Sequence, residues 1–93
     1  MRSILIAIMI LVFTTCCTDK KQEELMRRSL LTAKEQNENN QPFTTDSVMK
    51  AVTKYYDRHG SRNEQMQAHY LLGCTYRDLG DAPRALQCYN DAV

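Results

Sequence analysis

An excess of charge of either sign is missing from this 93-residue chain: 12 Lys and Arg stand against 11 Asp and Glu. A balanced surface builds no field that would gather a polyanion, so nucleic acid contact and acidic substrates are not expected. Also missing are a glycine-rich phosphate loop, a Ser-His-Asp arrangement and a pair of acids isolated in an apolar run, which leaves catalysis without residues to perform it. Zinc sites pair their ligands tightly, as C-x₂₋₄-C or H-x₃₋₅-H. His59, His69, Cys74 and Cys88 offer no such pair, so neither a metal nor a cofactor is expected. There is no Trp. No stretch alternates apolar and polar residues as a strand does, so the expected class is all-α. The longest apolar run, ILIAIMILVF at 4–13, falls short of the roughly 20 residues that span a bilayer.

That run has a different use. Met1-Arg2-Ser3 carries one positive charge ahead of it, Thr14 and Thr15 are small, and Cys16-Cys17 follow. This is the order of a signal peptide. A Cys directly behind the apolar run, followed by the polar TDKKQEE, resembles a bacterial lipoprotein signal. The resemblance implies cleavage before the Cys and lipidation of its thiol, at Cys17 or Cys16. An uncleaved anchor or an ordinary secretory signal is the alternative. Cleavage before Cys17 removes Arg2 as the only charged residue, so 12 basic residues become 11 against 11 acidic ones. Cys74 and Cys88 then remain for the folded part.

The chain divides into helical stretches by their end signals. Over 20–37, Glu23 and Arg27, and Glu24 and Arg28, stand at i,i+4 in the favourable order. Leu25, Met26, Leu30 and Ala33 offer a narrow apolar stripe. QNENNQP then breaks the helix. The next helix is capped by Thr45 or Asp46, shows Val48, Ala51, Val52 and Tyr55 on one face, and meets Arg58, His59 and a left-handed stop at Gly60. Ser61 and Glu64 fit a capping box. It opens a helix over 62–79 that buries His69, Leu72, Gly73 and Tyr76 and ends at Gly80. Asp81 caps the last helix, and Pro83 lies in its first turn. Leu86, Tyr89 and Val93 continue an apolar face, with Ala85 and Ala92 beside it.

His69-x-x-Leu72-Gly73-x-x-Tyr76, then Ala85-x-x-x-Tyr89, with Ala92 following, is the spacing of a tetratricopeptide repeat (TPR). Its logic is packing. Gly73 and Ala85 are small enough for two antiparallel helices to meet, and Leu72, Tyr76 and Tyr89 fill the space around the contact. His69 stands where the family usually has Trp or another bulky residue. A step back of 34 residues, from Ala85 to Ala51 and from Tyr89 to Tyr55, points to an earlier, degenerate repeat that lacks the Leu-Gly pair. From about residue 25 onward the chain resembles TPR-containing lipoproteins of Gram-negative bacteria.

The resemblance implies antiparallel helical hairpins that begin an α-solenoid after the signal peptide. The expected organisation is a lipoprotein-type signal peptide over 1–16, a polar tether over 17–24, a degenerate helix pair over 25–60, and a TPR hairpin over 61–93. Repeats bury their faces against neighbours, so the last helix reads as interrupted and the chain as the N-terminal piece of a longer one. The implied function is non-catalytic protein or peptide binding at the bacterial cell envelope, on a membrane that holds the lipid anchor, facing the periplasm. The alternative is the outer sensory portion, or a remnant, of a larger signalling regulator. Mapped from the family pattern, Gln67, Tyr70, Cys74, Arg77 and Asp78 face the concave groove, where Arg77 reaches a carboxylate and Tyr70 packs on an apolar side chain. A solvated face with an incidental Tyr is the plainer reading of these five. Cys88 is expected on the outer side of the last helix, away from Cys74, with both thiols acting as small packing residues.

Overall fold

In the computed structural model the backbone is described for residues 2–93 and the side chains for residues 20–93. Cys16 and Cys17 therefore lie outside the described side chains. The described residues form four helices and no strand: α1 (Arg2–Glu38), α2 (Ser47–His59), α3 (Arg62–Asp78) and α4 (Ala82–Asp91). Helix α1 runs without a break through the stretch read as a tether. Among the described residues no helix is long and apolar enough to cross a membrane.

Consecutive helices pack on each other, and α3 also meets α1. Among the described residues the backbone of α4 comes close to that of α3 but not to that of α1 or α2. Helix α3 is thus covered on three sides. Its consequence is a run of buried residues, 71–76, longer than any one helical face. Thr75 survives inside this helix because its Oγ1 donates to the Leu71 carbonyl at 2.9 Å.

Local chemistry fixes most of the helix ends. The Asn39-Asn40 turn ends α1, with Asn40 at φ 56 and the Gln41 amide donating back to the Gln36 carbonyl at 3.0 Å. Asn tolerates the left-handed region better than other residues with a β-carbon. The Ser61–Glu64 capping box is present in both directions: Ser61 Oγ accepts from the Glu64 amide at 3.2 Å, and Glu64 Oε1 accepts from the Ser61 amide at 2.9 Å. Gly80 takes φ +80, and the Asp81 amide closes the turn on the Tyr76 carbonyl at 2.8 Å. Asp81 Oδ1 then accepts from the Arg84 amide at 3.2 Å, capping α4.

Four expectations are corrected. The buried face of α2 is Met49, Val52, Thr53 and Tyr56, so Val48 and Ala51 are exposed. Both sets obey helical spacing. The observed one wins because α3 supplies an acceptor for the buried hydroxyl: Thr53 Oγ1 donates to the Ala68 carbonyl at 3.4 Å. Second, Ala51 and buried Ala85 are not equivalent. The buried Met49 and Val52 of α2 match the buried Ala85 and Cys88 of α4 at a step of 36 residues, whereas Tyr55 and Tyr89, 34 residues apart, are both half-buried against the core. Third, Gly60 is extended, at φ −91 and ψ 160. Its small size serves Tyr56, whose Cδ1 would lie 2.6 Å from an added β-carbon. Fourth, Leu25 is exposed, so the α1 stripe reduces to Met26, Leu30 and Ala33.

Asp46 precedes α2 without capping it; Thr45 Oγ1 accepts from the Ser47 amide at 3.3 Å instead. The Asp46 carboxylate accepts from the Tyr76 hydroxyl at 3.1 Å and pairs with Lys50 at 3.3 Å. The Tyr76 bond, and after it Lys50, hold its carboxyl below the usual carboxylate range. Burial, then the same bond, pushes the Tyr76 phenol up. Arg84 lies over the Tyr76 ring, 5.6 Å from its centroid, a cation–π arrangement. One side chain of α3 thus touches the start of α2 and the first turn of α4.

Candidate functional site

The contact between α3 and α4 sets the geometry. A β-carbon on Gly73 would meet Tyr89 Cε1 at 2.6 Å and Cδ1 at 2.7 Å. The Tyr89 ring therefore lies directly on the α3 backbone. Leu72, Tyr76 and Ala85 are buried around this contact, and Tyr89 and Ala92 are half-buried. His69 lines a recess between α3 and the end of α4, with Asp91, Ala92 and Val93, and also faces the preceding helix. Its Nε2 stands 2.8 Å from Asp57 Oδ1 on α2, and its enclosed Nδ1 has no hydrogen-bond partner among the described residues. It therefore joins α3 to the preceding helix.

Because α3 also touches α1, these two alternate helices share one side of the molecule. Lys34, Asn37 and Glu38 from α1 and Gln67, Tyr70 and Leu71 from α3 line a recess of about 200 Å³. Gln67 and Tyr70 continue into a wider, mostly apolar groove of about 490 Å³, whose other walls are Met66, Tyr89, Ala92 and Val93. Tyr70 is 48% exposed. Its ring centroid is 5.8 Å from that of Tyr89, with the rings tilted by 39°, within the range of attractive aromatic pairs. A half-exposed ring held by a second ring presents an apolar face at little further cost in side-chain freedom.

The five residues expected on this face divide. Gln67 and Tyr70 line it. Cys74 does not: it is fully buried, and the Tyr89 hydroxyl donates to its Sγ at 3.9 Å. Burial, then that contact, pushes the Tyr89 phenol up. Arg77 is exposed but engaged, with Nε donating to Asp78 Oδ1 at 3.1 Å and Nη2 to Asn37 Oδ1 at 3.4 Å. The hydrogen bond to Asp78 is the main cause holding the Arg77 guanidinium above its ordinary range. Asp78 is engaged within the fold at both oxygens, Oδ1 with Arg77 and Oδ2 accepting from the backbone amide of Phe43 at 3.0 Å. This fastens the α1–α2 connection, with Phe43 buried, to the end of α3.

Cys88 is buried, contrary to its expected outer position, and joins the common core. Desolvation pushes its thiol up, with a smaller contribution from Asp91. Cys74 and Cys88 are both free. Among the described residues no three His, Cys, Asp or Glu side chains gather as a metal site.

The contribution of α1 was missed from sequence. Asn37 stands one turn beyond buried Ala33, and Lys34 directly follows it, so the α1 stripe marked their neighbourhood. Their convergence on α3 depends on a contact across the chain. Met66 was missed too, although it stands one turn before Tyr70. The chain matches no protein-family model, no curated protein and no solved structure.

Proposed function

We propose that this chain is a TPR-type, non-catalytic binding module held at the bacterial cell envelope by a lipid on Cys17 or Cys16, with the α1/α3 side receiving a protein or peptide. The observation that carries this reading is the seating of Tyr89 on Gly73 while α3 also packs on α1 and α2. Small-residue contact inside a hairpin, together with contact between alternate helices, is what lets hairpins stack and present one helix of each pair on a common side. Tyr70 is the central contact of that face. An extended peptide laid across it meets an apolar surface made by the Tyr70 ring and the Met66 thioether, and amide and ammonium donors at Gln67, Asn37 and Lys34. The anchor rests on the order of charge, apolar run, small residues and Cys at the N-terminus.

A photo-crosslinking side chain at Tyr70, compared with one at exposed Lys54 on α2, tests the binding face. The full chain is used in envelope membranes. A discrete protein adduct through position 70, absent through position 54, is expected. Equal labelling at the two positions, or none at 70, overturns the reading. In the same membranes, replacing Cys16 and Cys17 by Ser tests the anchor separately: loss of the lipid mass and accumulation of uncleaved precursor or released protein is expected. An unchanged mass and unchanged membrane association would remove the anchor while leaving the binding face intact.

A further inference from the structure

We draw no further inference here: the strongest candidate, the open apolar groove between α3 and α4 lined by Met66, Tyr70, Tyr89, Ala92 and Val93, carries nothing because no contact in the structure shows what covers it.

Discussion

Gly73→Ala separates the packing argument from simple helix propensity. In an exposed helix interior, replacing Gly by Ala stabilises by about 0.8–1.0 kcal/mol. At position 73 the new methyl would stand 2.6 Å from Tyr89 Cε1 and 2.7 Å from Cδ1. Carbon pairs rest at about 3.5–4.0 Å, so the ring must retreat by about 1 Å. It is not free to do so at no cost. Its hydroxyl reaches Cys74 and its face lies against Tyr70. Overpacking of this kind costs about 1–3 kcal/mol. The two effects oppose, and the net expected loss is about 1 kcal/mol, or roughly 4–8 °C in Tm for a domain of this size. Urea unfolding of the full chain, followed by circular dichroism at 222 nm, measures it. The Tyr89→Leu background supplies the control: with the ring gone, Gly73→Ala becomes neutral or stabilising, and the double-mutant cycle shows the coupling. A gain of the whole propensity term in the wild-type background would refute the close contact between α3 and α4.

Two further predictions use the same reading. Gly80 and Gly60 are sensitive for opposite reasons. Gly80→Ala meets nothing within 4 Å but sits at φ +80, so it costs about 1–2 kcal/mol and Gly80→Asn recovers much of that. Gly60→Ala meets Tyr56 at an ordinary backbone angle, so Asn gives no relief there; equal rescue by Asn at both sites, in thermal unfolding, would contradict the distinction. The Asp46–Tyr76 bond predicts a pH dependence. The Asp46 carboxyl is depressed below its unfolded value of 3.8, so its contribution is fully present above that value and is lost as pH falls through the folded one. Stability of wild type and Tyr76→Phe measured from pH 7 to pH 2 should differ at neutral pH and converge in acid, and a gap that stays constant would exclude the bond.

The parts of this fold that were legible in the sequence are those whose physics closes within a few residues. The Ser61–Glu64 box, the Asp81 cap and the left-handed Gly80 each satisfy backbone groups of their own turn, so neighbouring letters suffice to find them. The smallness of Gly73 was legible with Ala85 and Tyr89 because a short hairpin brings these positions together whatever surrounds it. Choices made across the chain were not. Asp46 carries every local mark of a cap, yet a hydroxyl 30 residues away holds its carboxylate. The face of α2 was ambiguous because Thr53 is polar by letter and becomes a core residue only when the Ala68 carbonyl is at hand. Gly60 looked like a left-handed stop, but Ser61 begins α3 at once and the chain stays extended between the two helices. Of the candidate face, Tyr70 and Gln67 came from the family pattern mapped onto α3, and both line the recess between α1 and α3. The engagement of Asp78 with Phe43 and of Arg77 with Asn37 required α1 and its connection to be in place.

The central claim is that α3 is the spine of this all-helical fold, packed at once on α1, α2 and α4. Residue-resolved amide hydrogen exchange on the full chain tests it most directly, since exchange rates order segments by their opening free energies. The account predicts slowest exchange over residues 71–76, faster exchange in α4, which is covered on one side, and loss of protection in α1 and α2 together with α3 when Leu71→Ala weakens the spine. Exchange over 71–76 as fast as in α4, or a Leu71→Ala effect confined to α3 and α4, would contradict it.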